Sequence, residues 1–193
     1  MSSSLPIGIF DSGIGGLTVA RAINQLLPNE QLVYFGDTAH LPYGDKSPNA
    51  IKYYSLKIGN FLLDKNCKIV VIACHTASSH AYQDMVQLLG SRVPIINVID
   101  PVVERVVTEK HYNKVGVIGT KATIQSDLYA KKIKAINPKM EVVSLATPLL
   151  APMIEEGFFN NQISNTVIHS YLSSPHLEKI DTLILACTHY PLI

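Results

Sequence analysis

Residues 69–76 read Ile69-Val70-Val71-Ile72-Ala73-Cys74-His75-Thr76. Five successive apolar residues without polar alternation mark a strand buried on both faces, as in the interior of a parallel sheet. The run stops at Cys74, and the spacing of apolar residues over Ala77–Leu89 predicts a helix. The same strand–loop–helix step recurs on either side. Ile7–Phe10 is a short apolar run ending in Asp11-Ser12-Gly13-Ile14-Gly15-Gly16, before a helix over Leu17–Leu27 with Pro28 beyond it. Leu32–Phe35 is the next strand and Ala50–Leu63 the next helix. Pro94–Val98 is a further strand, with a helix from Val102 to Thr108.

The pattern then starts again. Val115-Gly116-Val117-Ile118-Gly119-Thr120 resembles Ile7–Ser12, and Val142-Val143 stands where Val33-Tyr34 stood. Thr182–His189 echoes Ile69–Thr76, so that Cys187 falls at nearly the same offset from Cys74 as Gly116 from Gly8. The expected fold class is therefore α/β, with two pseudo-symmetric domains, 1–97 and 98–193, each built on a mainly parallel sheet. Ligands of such sheets sit beyond the carboxyl ends of strands. Asp11, Asp37, Cys74, Thr120 and Cys187 all fall at such ends, which places a site in the cleft between the domains.

Composition narrows the function classes. Of 193 residues 47% are hydrophobic and 16% charged, which favours a folded chain with a sizeable core. A formal charge of +1 and the lack of a basic tract give no footing for nucleic acid. No apolar run reaches membrane-spanning length, and Met1–Pro6 lacks the pattern of a secretory signal, so the expected location is cytoplasmic. Three cysteines are then expected as free thiols.

Cys74 lies between a buried strand and a helix start, whose N–H groups favour a thiolate and could hold a carboxylate. Cys187 ends the equivalent strand, with His189 two residues on. A buried structural cysteine is the plain alternative for either one, but the paired placement argues for chemistry. Racemisation suits two opposed thiols: one takes a proton from one face of a carbon while the other returns a proton to the opposite face. Thiols ordinarily titrate near pH 8.5, so modest shifts allow either state. Asp11 could assist a proton acceptor or simply cap its turn, and His189 could assist Cys187 or be a solvated loop residue. Glu155 and Glu156 beside Gly157 read as a solvated turn, and Cys67 as a structural residue at a strand start. His80, His111, His169 and His176 show no partners in the sequence and are read as surface or helix residues. The Gly13–Gly16 stretch has neither dinucleotide-binding spacing nor a Walker lysine. It is read as a place where backbone approaches a ligand or lets Asp11 turn inward. A zinc site from Cys74, His75, Cys187 and His189 is disfavoured because no CxxC pair exists.

Together these stretches resemble the glutamate racemases of the aspartate/glutamate racemase superfamily. The resemblance is carried by Ile7–Leu17, by Tyr34-Phe35-Gly36-Asp37-Thr38-Ala39 with Pro42-Tyr43-Gly44, and by the Cys74 segment. Gly119-Thr120 with Ala122-Thr123, and Cys187-Thr188-His189-Tyr190-Pro191-Leu192, complete it. It implies interconversion of L- and D-glutamate without pyridoxal phosphate or metal, supplying D-glutamate for peptidoglycan. By the same resemblance Cys74 would deprotonate D-glutamate and Cys187 L-glutamate, with Asp11, Glu155 and His189 assisting. Asp11, Ser12, Pro42, Tyr43, Gly44, His75, Thr76, Thr120, Thr123, Thr188 and His189 would line the substrate site. Assembly as a homodimer, and aspartate as the substrate, stay open.

Two departures qualify the resemblance. The family usually carries asparagine where this chain has His75, which could retain substrate binding, lower the pKa of Cys74 or weaken activity. Family chains also continue well past Pro191, and the continuation returns to complete the first domain. The expectation is of a truncated form with both cysteines present, and an inactive two-domain binding protein is the alternative.

Overall fold

The computed structural model describes residues 5–193; Met1–Ser4, part of the stretch read above for a secretory signal, lie outside them. Two parallel sheets form the frame. The first contains β1 (Ile7–Asp11), β2 (Leu32–Gly36), β3 (Ile69–Ile72) and β4 (Ile95–Asn97), in the order β2-β1-β3-β4. The second contains β5 (Lys114–Gly119), β6 (Glu141–Ala146) and β7 (Thr182–Ala186), in the order β6-β5-β7. The order of the second repeats that of the first three strands of the first, with β1 and β5 central. Register sharpens the repeat. Gly8 pairs with Val33, and Gly116 with Val143. The counterpart of Val33 is thus Val143, one residue along from the sequence match to Val142. Both segments are half-buried strands, whose side-chain pattern does not fix a one-residue offset.

Helices join the strands: α1 (Leu17–Leu26), α2 (Pro48–Asp64), α3 (His75–Leu89) and α4 (Ile99–Thr108) in the first part of the chain. Three start earlier than their apolar periodicity suggests. Ser47 caps α2 by accepting from Ala50 N–H, with Pro48 where no amide donor is needed. Cys74 caps α3 through Sγ, so that helix begins at His75. In α4, Pro101 sits in the first turn, where the same tolerance applies.

The second part contains four helices that the sequence reading left unassigned: α5 (Lys121–Ser126), α6 (Leu128–Ile136), α7 (Leu150–Glu155) and α8 (Gln162–Leu172). Phe10, Ile51, Leu62, Val70, Ile72 and Met85 fill the core between the first sheet and α2–α3. Ile99, Val103, Val115, Val117, Tyr129 and Ile133 fill that between the second sheet, α4 and α6. Cys67 precedes β3 rather than opening it and is buried against Gly8 and Leu62, a packing role. Among the described residues no helix is long and apolar enough to cross a membrane.

Candidate active site

Residues just beyond the carboxyl ends of β1, β3, β5 and β7 line one cavity of about 150 Å³ between the two units. Cys74 and Cys187 both line it, although they are only 4% and 6% exposed. The volume suits a small metabolite and not a dinucleotide. From the first unit the wall takes Ser12, Leu41, Pro42, Tyr43 and Gly44, then His75 and Thr76 at the start of α3. The second unit contributes Thr120 after β5, Glu155 from α7, and Thr188 and His189 after β7.

Each thiol sits among specific neighbours. Cys74 Sγ accepts from Ala77 N–H at 3.4 Å and lies 3.7 Å from Ser12 Oγ. Burial pushes the Cys74 thiol up to about 12, the negative charge of Asp11 adds to this, and the Ala77 and Ser12 hydrogen bonds work against it. Cys187 is likewise raised, chiefly by burial, with Cys74 and Asp11 adding. Its Sγ lies 3.6 Å from Nδ1 of His189, whose Nε2 makes a close hydrogen bond to Glu155 Oε1. If Nε2 carries the proton to the carboxylate, Nδ1 is the lone-pair nitrogen facing the thiol. The three side chains then form a thiol–imidazole–carboxylate series. Glu155 is the last residue of α7 and not a solvated turn, and its Oε1 also accepts from Ile14 N–H of the first unit. Glu156 follows it, exposed, at the rim. His189 is buried rather than solvated.

Asp11 is fully buried at the end of β1 and does not reach the cavity wall. Its Oδ2 accepts from Gly13 N–H at 3.2 Å and Gly16 N–H at 2.9 Å. It therefore shapes the glycine loop, as a turn aspartate would, and also projects its charge toward both thiols. Thr188 donates to it from the other unit at 3.2 Å. The loop is glycine-rich because the second unit comes close: a Cβ on Gly15 would lie 2.6 Å from Thr188 Oγ1 and 2.8 Å from His189 Nδ1.

Thr76, Thr120 and Thr123 hydroxyls lie 2.9 Å from one another, a triangle spanning the two units. Thr123 stands behind that triangle and away from the wall, whereas Thr76 and Thr120 are on it. Pro42 follows a cis peptide bond, and Tyr43 donates through its hydroxyl to Asp37 Oδ2 at 2.6 Å. His75 pairs through Nδ1 with the Tyr129 hydroxyl at 2.7 Å, and burial lowers it to about 4. A ring held neutral adds no positive charge beside Cys74.

The sequence reading missed Leu41, Ala151 and Pro152 on the wall, and the supporting Tyr129. Pro42 flagged the neighbourhood of Leu41, but nothing in the sequence pointed to Tyr129. His80, read as partnerless, donates from Nε2 to Ala122 O at 2.9 Å and joins α3 to α5. Among the described residues no three His, Cys, Asp or Glu side chains converge as metal ligands.

Residues 7–193 match the family described as Asp/Glu/Hydantoin racemase. This chain belongs to that family. It is thus an isomerase, and its parallel two-unit α/β frame is that of the solved members. It is 48% identical over 187 residues to the glutamate racemase of Geobacter metallireducens, covering 97% of this chain and 68% of that protein. It is 46% identical over 188 residues to that of Syntrophus aciditrophicus, covering 97% and 69%. The crystal structure of glutamate racemase from Francisella tularensis, solved in complex with D-glutamate, superposes with a TM-score of 0.91 at 46% identity, over 98% of this chain and 70% of that one.

Proposed function

We propose that this racemase interconverts L- and D-glutamate by a two-thiol mechanism that uses neither pyridoxal phosphate nor metal. The observation that carries the reading is the lining of one small cavity by two buried thiols, each at the end of the equivalent strand in a repeated unit. The relatives named glutamate racemase at 46–48% identity support glutamate over aspartate.

In the D-to-L direction Cys74 acts as thiolate and takes the α-proton. The C–H bond breaks, an S–H bond forms, and the electron pair passes into the substrate carboxylate. Cys187 then gives its proton to the opposite face and is left as thiolate; the reverse direction exchanges the roles. The raised thiol pKa values mean that, before substrate binds, both groups are protonated near neutrality. The substrate ammonium, drawn in by Asp11 and Glu155, offsets that by adding a positive charge beside the thiols. When L-glutamate is the substrate, His189, backed by Glu155, accepts the Cys187 proton and Cys74 stays a thiol; when D-glutamate is, Asp11 takes the Cys74 proton and Cys187 stays a thiol. Thr76 and Thr120 hydroxyls, with the first N–H groups of α3, suit the carboxylate whose charge grows in the transition state. The D-isomer so formed would serve peptidoglycan synthesis.

The test is incubation of the purified protein with each glutamate isomer in deuterium oxide, followed by circular dichroism and by mass of the α-position. Loss of optical activity with one deuterium gained is expected, and aspartate should turn over far more slowly. Glutamate that keeps its optical activity and its α-hydrogen would refute the proposal.

A further inference from the structure

We propose that Tyr129 is a positioning residue for the reaction: through His75 it fixes the helix turn carrying Cys74 against the unit carrying Cys187. The inference rests on the two-thiol reading above.

Tyr129 lies in α6, away from the cavity wall, with its ring buried in the core of the second unit beside Val115, Val117 and Ile133. Its hydroxyl emerges from that core to meet Nδ1 of His75 at 2.7 Å. The two rings lie 6.2 Å apart between centroids and 24° from parallel. His75 is the first residue of α3, and the residue before it is the cap whose sulfur holds the helix start. A bond to His75 is therefore a bond to the backbone next to Cys74. The other end of that bond is anchored in the second unit's core, beneath β5 and β7.

Both partners keep this bond through the working pH range. Burial holds the His75 ring neutral and pushes the Tyr129 phenol above its usual value, so neither changes charge near neutrality. Asp100 in α4 is a charged group whose field reaches Tyr129, and it is held by Lys132 at 2.6 Å and by Asn97 at 2.8 Å. The same turn of α3 has a second attachment, Thr76 to Thr120 and Thr123. Losing the Tyr129 hydroxyl leaves α3 joined to the second unit at Thr76 and, a turn further on, at His80, so the helix stays docked while its first residue, next to Cys74, is released. That release moves the Cys74 sulfur more than it moves the bound carboxylate. Displacements of that kind are felt in the chemical step.

Tyr129→Phe keeps the ring and removes only the hydroxyl. We expect kcat to fall about tenfold with KM changed less than about twofold. The primary α-deuterium isotope effect should grow when D-glutamate is the substrate, because Cys74 breaks that C–H bond. With L-glutamate it should not grow, because Cys187 does so. A general loosening of the fold would move both alike. In a His75→Ala background the same Tyr129→Phe change should have no further effect, since Tyr129 acts through His75. His75→Ala alone should show the same one-sided isotope effect, which keeps the test open if Tyr129→Phe folds poorly. Unchanged kcat, a symmetric isotope effect or multiplicative losses in the double variant would each overturn the assignment. Absence of turnover in the unmodified protein would instead refute the two-thiol reading.

Discussion

The Thr188 hydroxyl lies 3.2 Å from Oδ1 of Asp11, a hydrogen bond joining the loop after β7 to the end of β1. It links the residue beside one thiol with the carboxylate whose charge acts on both. Replacing Thr188 by Val keeps the shape and removes the donor. Asp11 retains its bonds from Gly13 and Gly16, so the fold should survive. A hydrogen bond to a charged group contributes about 1.5–3 kcal/mol, which predicts a tenfold to hundredfold loss in kcat/KM. Racemisation followed by circular dichroism measures it, and an undiminished rate would show that the link does not matter to the reaction.

Two glycines give opposite expectations. At Gly15 a methyl group would press on Thr188 and His189, so Gly15→Ala should cut kcat by about a hundredfold or more with little change in melting temperature. Gly157 has φ of +65° and open space around it. There Gly157→Ala should cost about 1 kcal/mol of stability through backbone strain and leave the rate nearly unchanged. Thermal melts and rates on both variants separate the effects; an active Gly15→Ala enzyme would contradict the close approach.

The raised thiols fix the sign of the pH dependence. Because burial and Asp11 push Cys74 up to about 12, the thiolate fraction of the free enzyme grows with every pH unit across neutrality. The value of kcat/KM, which reports the free enzyme, should climb from about pH 6 into the alkaline range. Asp11→Asn removes a negative neighbour of both thiols, so its rising limb should shift to lower pH even as its maximum falls. Rate profiles of the two proteins provide the check, and a limb displaced upward in Asp11→Asn would reverse the argument.

The parts of this site legible in sequence are those where an apolar run stops. Asp11, Cys74 and Cys187 each come where an apolar run at a central or neighbouring strand ends, and that ending is visible in one dimension. What escaped depends on approach in three dimensions. Tyr129 reads as one more apolar helix residue until His75 is seen beside it, and Glu155 reads as a turn until His189 is. The unassigned helices escaped for a different reason. In α8 the apolar stripe is short and only half-buried, carried by Val167, Ile168 and Tyr171, and the one fully buried residue is Ser164, a partner in the capping box with Asn161.

His75 also makes stability depend on pH. Its folded-state value of about 4 lies below the ordinary 6.5, so the unfolded chain binds a proton that the folded chain refuses between those limits. The stability that this group contributes is complete above pH 6.5 and is lost as pH falls toward and through 4. A tenfold difference in proton affinity between the two states is worth about 1.4 kcal/mol, so the gap between those limits bounds the whole effect at about 3 kcal/mol. Buried carboxylates add their own acid dependence, so the informative quantity is a difference between two proteins. His75→Asn has no group titrating there. Its unfolding free energy, measured in urea at about pH 7 and about pH 4.5, should fall less than that of the unmodified protein. An equal fall in both would mean that the His75 ring accepts a proton in the folded state without leaving Tyr129, and the neutral pair described above would not hold.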